Sequence, residues 1–350
     1  MDSIYVTFDQ ITQGTGAGEV CLHEKEALSR ATSLATVVSR DDIAPYVDQH
    51  YGFNPFLYDY FAAQLVPSGI DIAHLSCSPG VAILEKAKPK KALVNVVAHD
   101  LAVSIEEHKR IFRGGYPFPH NTDPLLHKAL LRHAERAEAV LTPSTVSEDW
   151  IQRNIRPKRI VVIPHGCCIP NDVPDYPDEF KAGYLGVFGP DKGLIYLVMA
   201  WDHLCMEDSE FLYAGNCCET LSTLIPSVIR NKSRFRLLGR VDNPGDLYSQ
   251  ISVYVQPSVT EGFGIPVLEA MSHGRPVIVT EGVGAKDIVV DGEQGFVVPI
   301  RDPGAIAEKL QYFKDNPDEV RRMGRNARRA SMGYSWDRVE ERYGDLYESL

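Results

Sequence analysis

Apolar and polar positions along the chain fall into two alternating regimes. Short runs rich in Val, Ile, Leu and aromatic residues are separated by longer amphipathic stretches, the pattern of parallel strands wrapped by helices. The first half predicts strands at Ile4 to Phe8, Leu34 to Ser39, Asp71 to Leu75, Ala92 to Ala98, Ala139 to Thr142 and Arg159 to Ile163. After Ile169 comes PNDVPDYPDEF, whose prolines and acids can neither pack nor propagate a helix, so residues 171–182 read as a linker between domains. The pattern then restarts, with strands at Tyr184 to Phe188, Glu210 to Ala214, Phe235 to Leu238, Val253 to Gln256, Pro276 to Thr280 and Gly295 to Val298. Helical segments follow at Pro303 to Asn316 and Pro317 to Met332. The closing segment YSWDRVEERYGDLYESL sets Trp336, Val339, Tyr343 and Leu346 at helical spacing.

A length of 350 residues exceeds the usual reach of one hydrophobic core. The expected architecture is therefore α/β, with two Rossmann-like doubly wound domains over residues 1–170 and 183–333. If the two face each other, the C-terminal ends of both sheets meet across one cleft, which is where open α/β sheets bind ligands.

Composition narrows the function. A net charge of −11 disfavours nucleic acid as a partner, because phosphate binding along a duplex needs a basic face. The charge is uneven, with basic runs at Lys86, Lys88, Lys90 and Lys91 and at Lys109, Arg110 and Arg113 in the nearly neutral first half. These runs are either solvated surface or an acceptor face for anionic lipid or phosphorylated glycan. Seven cysteines, an odd number without CxxC spacing, read as thiols of a reducing cytosol. The run after Met1 is too short for a signal peptide, and no apolar segment approaches the roughly 20 residues of a membrane helix. The expectation is a cytoplasmic protein, with peripheral contact at a membrane as a further option.

The chemistry concentrates in VTEGFGIPVLEAMSHGRPVIVT, where Glu261 and Glu269 stand eight positions apart around a Gly-Phe-Gly turn that opens a helix. Backbone N–H groups at such a helix start favour phosphate oxygens, and flanking carboxylates can hold sugar or ribose hydroxyls. Gly262 and Gly264 let backbone approach a ligand closely, Phe263 can wall the pocket, and Pro266 fits the first helical turn if the helix begins at Gly264 or Ile265. In FGPDKG, Lys192 sits at a strand-to-helix crossing, from which it can neutralise a departing diphosphate. The glycines of ITQGTGAGEV, Gly14, Gly16 and Gly18, suit either a phosphate loop or a tight packing turn, but their spacing is not GxGxxG. His99 and Asp100 end a strand of the first domain, where His99 could bond a sugar hydroxyl, assist proton movement or be structural. No DxD, GxxxxGK[ST], GxSxG or HExxH motif is present, so the chemistry is expected to need no divalent metal and no cofactor beyond a nucleoside diphosphate sugar.

These residues together resemble the retaining glycosyltransferases of family 4, which have the GT-B fold. The resemblance covers nearly the whole chain, through VLTPSTVSEDW, RIVVIPHG, FGPDKG, LYAG, LLGRV and the long segment around EGFGIPVLEA with its E-x7-E spacing. It implies that Glu269 binds the donor ribose and Glu261 the hydroxyls of the transferred sugar, with Phe263 and Gly264 amides near sugar and phosphate. It also implies that Lys192 holds the diphosphate, that Gly16 lies beneath the phosphates, Val241 near the base and His99 beside the sugar. By the same resemblance the last helix, 334–350, packs back onto the first domain. One departure is Val187, where the family usually has a second, arginine cation; Arg240 is the favoured substitute. The implied activity is hexose transfer to a glycan or lipid-linked acceptor. The alternatives are a nucleotide-sugar-binding protein of weak or no activity, or a related epimerase or phosphorylase.

Overall fold

A computed structural model describes residues 1–7, 9–12, 16–46, 55–76, 80–97, 101–112, 131–204, 208–215 and 234–350. In chain order the first half runs β1 (Asp2–Thr7), α1 (Gly16–Ala31), β2 (Ser33–Val38), α2 (Arg40–Ile43), α3 (Pro55–Leu65), β3 (Ile72–Ser76), α4 (Val81–Ala87), β4 (Lys91–Asn95), α5 (Leu101–Phe112), β5 (Ala139–Thr142), α6 (Thr145–Asn154) and β6 (Ile160–Val162). The second half runs β7 (Phe180–Leu185), α7 (Leu194–Leu204), β8 (Ser209–Ala214), β9 (Phe235–Gly239), α8 (Gly245–Tyr248), β10 (Val253–Gln256), α9 (Ile265–Ser272), β11 (Val277–Thr280), β12 (Gly295–Val298), α10 (Pro303–Asp315), α11 (Pro317–Ser331) and α12 (Trp336–Glu348). The chain divides into two compact units. One comprises residues 1–98, 119–165 and 336–350, and the other residues 99–118 and 166–335. Helix α5, which the sequence reading put in the first domain, thus groups with the second unit, and α12 groups with the first.

The first unit is built on a parallel sheet of order β2-β1-β3-β4-β5-β6. Ile4 and Val6 of β1, Ala73 and Leu75 of β3, Val94 of β4 and Val140 of β5 pack with Tyr58 and Ala62 of α3 and with Trp150 and Ile151 of α6. On α1, Val20, Cys21, Glu24, Ala27 and Leu28 are buried, the stripe expected of a helix lying on a sheet. Glu24 is a carboxylate in this interior. It accepts hydrogen bonds from the Tyr5 hydroxyl at 2.8 Å, the Tyr343 hydroxyl at 3.0 Å and the Asn95 amide, so its charge is solvated by protein donors. Helix α12 is thereby tied to the sheet. Its Tyr347 hydroxyl bonds His74 Nδ1 at 2.7 Å, Trp336 stacks on His23 at 4.3 Å, and Glu340 meets both His23 and Arg30.

The second unit carries a parallel sheet of order β12-β11-β10-β7-β8-β9, the Rossmann arrangement. Its strands β10 and β11 are buried throughout, as sheets covered on both faces require, whereas the edge strand β9 leaves Arg236 and Leu237 exposed. Strand β7 begins at Phe180, inside the stretch read as linker. Phe180 pairs with Ser209, the Lys181 carbonyl accepts from Ser252 N–H at 2.7 Å, and Lys181 N–H donates to the Ser252 hydroxyl oxygen at 3.1 Å, so the strand starts as soon as the last proline, Pro177, is passed. The proline-rich stretch itself is held by Arg275, fully buried, whose guanidinium donates to the carbonyls of Tyr248, Pro174 and Asp175 and lies 4.4 Å from the Tyr176 ring. Helix α10 starts at Pro303 behind the Asp302 side chain, which caps Ala305 N–H at 2.9 Å. Pro317 then opens α11 after one capping residue, Asn316. Helix α5 is anchored by Glu107, fully buried, which accepts from the Tyr196 hydroxyl at 2.6 Å and from Arg301.

Candidate functional site

In the second sheet β7 and β10 are neighbours, but the chain leaves β7 toward β8 on one side and β10 toward β11 on the other. The loops that follow these two strands diverge, which makes this the topological switch point where such sheets open a ligand crevice. Both loops carry residues singled out by the sequence.

Backbone geometry brings those residues together. After β7 a single 3₁₀ turn, Pro190–Lys192, ends at Gly193 with φ +65°. A Cβ on Gly193 would stand 2.0 Å from the Pro257 carbonyl oxygen, so only glycine lets the turn lie against the loop after β10. Val259 N–H then donates to the Asp191 carbonyl at 2.7 Å. From the other side, Glu261 N–H donates to the Gly282 carbonyl at 2.9 Å, and Gly284 N–H to the Glu261 carbonyl at 3.0 Å. The loop after β10 is thus clamped on both sides. Lys192 Nζ consequently donates to Glu261 Oε2 at 2.6 Å, with Asp191 Oδ2 3.9 Å away. Burial opposes the Lys192 charge, but the Glu261 and Asp191 carboxylates outweigh it and hold the ammonium above its ordinary pKa.

The helix start is equally constrained. Gly264 caps α9 in the left-handed region, at φ +97°, and Pro266 occupies the first turn. Phe263 is buried in the core, and its carbonyl accepts from Ala285 N–H at 2.7 Å. The ring therefore supports the loop from beneath. Among the described residues the N–H groups of Gly264 and Ile265 meet no protein acceptor. One turn on, Glu269 Oε2 accepts from the Tyr248 hydroxyl at 2.7 Å. Tyr248 is fully buried, and burial first, then the Glu269 carboxylate, pushes its pKa well above 10.

The structure gathers Lys192, Glu261, Gly262, Phe263, Gly264, Ile265 and Glu269 on the switch-point loops and the helix they open. Arg240 and Val241 follow β9, at the sheet edge. Arg240 is exposed and two strand positions from β7, about 10 Å along the sheet. Val187 is 58% exposed, and its carbonyl accepts from Tyr184. Gly16 is the first residue of α1, in the first unit. His99 lies outside the described residues, as do Asp100, Gly14 and Arg113. Two residues went unassigned in the sequence. Asp191 was visible only as the neighbour of Lys192, and Tyr248 lies 21 positions before Glu269, beyond any local motif.

Two parallel α/β sheets with flanking helices, one of Rossmann order, give the GT-B architecture. Sucrose-phosphate synthase from Thermosynechococcus elongatus shares the fold, with a TM-score of 0.75 at 19% identity over 100% of this chain and 99% of that one. Anabaena HepE, solved with UDP-glucose, superposes with a TM-score of 0.74 at 19% identity over 99% of this chain and 100% of that one. Residues 169–330 match the model of the group 1 glycosyl transferases. Among curated relatives, an uncharacterized glycosyltransferase of Methanocaldococcus jannaschii is 26% identical over 61% of this chain and 60% of its own length. The capsular polysaccharide biosynthesis glycosyltransferase CapM of Staphylococcus aureus is 31% identical over 47% of this chain and 46% of its own. The D-inositol 3-phosphate glycosyltransferase of Streptomyces avermitilis is 37% identical over 33% and 25%. The chain therefore spans less than two thirds of the length of these relatives.

Proposed function

We propose that the protein is a retaining, metal-independent glycosyltransferase that moves a hexose from a nucleoside diphosphate sugar to a hydroxyl of a glycan or lipid-linked acceptor. The observation that carries the reading is the Lys192–Glu261 contact at the switch point, beside the helix start at Gly264. An ammonium and amide donors suit a pyrophosphate, and carboxylates on either side suit hydroxyls. In this reading Lys192 and the Gly264 and Ile265 amides take up charge on the departing diphosphate, Glu261 bonds the sugar hydroxyls and Glu269 the ribose. The bond from the anomeric carbon to the phosphate oxygen breaks as the acceptor oxygen bonds the same face of the sugar. The acceptor proton passes to the leaving diphosphate oxygen, so no protein nucleophile is required. His99 beside the sugar, Gly16 under the phosphates, Val241 near the base and Arg240 as second cation complete the proposal. Among solved structures of the same fold, HepE is described with UDP and glucose, and TarM with UDP, fondaparinux and alpha-GlcNAc-glycerol.

No helix among the described residues is long and apolar enough to cross a membrane. A cytoplasmic setting with peripheral membrane contact belongs to the proposal and is tested by cell fractionation. A thermal-shift screen of UDP-, GDP-, ADP- and TDP-sugars identifies the donor, since a ligand at 100 times its dissociation constant adds about 2.7 kcal/mol. With that donor, transfer is expected to persist in EDTA with retained anomeric configuration. Lys192→Ala is expected to lower transfer about a hundredfold with an unchanged fold; wild-type turnover in that variant refutes the assignment. The exposed Val187, in place of a cation, favours a second reading, a nucleotide-sugar binder without catalysis. Donor binding with neither transfer nor hydrolysis identifies that case.

A further inference from the structure

Among the described residues, carboxylates outnumber cations within 4 Å of Lys192. One ammonium, Lys192, faces two carboxylates, Glu261 Oε2 at 2.6 Å and Asp191 Oδ2 at 3.9 Å. The Lys192 and Glu261 side chains are only 23% and 20% exposed, so water screens the pair less than it would on an open surface. Any phosphate that is to use Lys192 must therefore share it with Glu261 or displace it.

We infer that Glu261 discriminates donor from product: by competing for Lys192 it makes the site favour a nucleoside diphosphate that still carries its sugar over the free nucleoside diphosphate. The inference rests on the proposed donor site. With the sugar present, its hydroxyls donate to the Glu261 carboxylate, which then no longer depends on Lys192, and the ammonium is released to the phosphates. Without the sugar, Glu261 has no replacement donor and holds Lys192 against the incoming anion. Free nucleoside diphosphate also carries one more negative charge on its terminal phosphate than the sugar ester does, and places it near the two carboxylates. Both effects act in one direction. Specificity here comes from a repulsive element as well as an attractive one, which is how a small site can separate two ligands that share all but one group.

Competition, rather than loss of the Lys192 proton, is the operative step. The carboxylates hold the ammonium charged through the neutral range, so the only question is which anion it serves. A consequence for turnover is that Glu261 helps expel the product once the sugar has left.

The experiment measures affinities of UDP and UDP-glucose by calorimetry for the wild type, Glu261→Gln, Lys192→Ala and the double variant, with thermal midpoints as a check of folding. Where UDP does not bind, the GDP, ADP or TDP pair selected by the thermal-shift screen replaces it. Glu261→Gln keeps a hydrogen-bonding side chain for the sugar and removes only the charge. Free nucleoside diphosphate is expected to bind it about tenfold more tightly than wild type. The sugar-bearing ligand is expected to change by less than a factor of three, and the gain for the free diphosphate to vanish when Lys192 is already alanine. Equal or weaker diphosphate binding by Glu261→Gln overturns the inference alone, as does the same gain in the Lys192→Ala background. Failure of the wild type to bind any of the four nucleoside diphosphates or their sugars overturns the proposed site, and the inference with it.

Discussion

Tyr248 holds one oxygen of the Glu269 carboxylate at 2.7 Å from a fully buried ring, and the same hydroxyl lies 3.2 Å from the Pro266 carbonyl. The helix alone fixes where Glu269 leaves the backbone; the phenol fixes where its carboxylate ends. Tyr248→Phe removes that donor while leaving the ring packed against Tyr254 and His273. If Glu269 binds the donor, the expected loss is about 1 kcal/mol, seen as a severalfold rise in donor KM with kcat within a factor of two. A change in kcat alone would place Glu269 elsewhere in the cycle. This residue also marks what one sequence can disclose. Glu261, Gly264 and Glu269 were legible because a helix start packs its chemistry into a short motif, and Lys192 because it ends a strand-to-turn crossing. Tyr248 arrives from another element through the packing of α8 on α9, and no local spacing announces such a contact.

At the scale of elements, the strands were the most legible feature. Every run with strand composition overlaps a strand, most closely at β10 and β11, where burial on both faces demands continuous apolar residues. The misjudged point was the start of β7, where Phe180-Lys181-Ala182-Gly183 looked like the tail of a proline-rich linker. Its strand character comes from pairing with β8 and from Ser252, both distant in sequence. The turn between β7 and α7 is the element on which the site depends. Its Gly193 is left-handed and so close to Pro257 that a methyl group would sit 2.0 Å from a carbonyl oxygen. Gly193→Ala must therefore shift the turn or the loop after β10, and each shift separates Lys192 from Glu261. The expected stability loss is about 2 kcal/mol or more, read as a lower denaturant midpoint, together with weakened donor binding. Gly292→Ala is the control, since it shares a positive φ of 79° but has open space around the added methyl. It should lose stability without losing donor affinity.

At the scale of the whole molecule, the carboxylate excess gives a net charge of −11, so mild acid should relieve repulsion and stabilise the chain. Two histidines buried in the first unit work against this. His165 is 5% exposed, and burial lowers its pKa to about 4, with the Glu24 carboxylate opposing; burial likewise lowers that of His74. A folded pKa below the unfolded value of about 6.5 means that the unfolded chain binds the proton first. Stability is therefore full above pH 6.5 and falls as the pH drops toward 4, by up to about 3 kcal/mol from His165 alone. Trp150 and Trp336 belong to the first unit and Trp201 to the second, so fluorescence in a Trp201→Phe background reports the first unit. Its denaturant midpoint should fall between pH 7.5 and pH 5 in that background and fall less in the His165→Gln variant, where no proton can be taken up at this position. Both proteins share the same carboxylates, so the difference between their two curves isolates the histidine. Parallel curves would mean that His165 takes up its proton without unfolding the unit, and the buried, neutral imidazole assigned to it would be wrong.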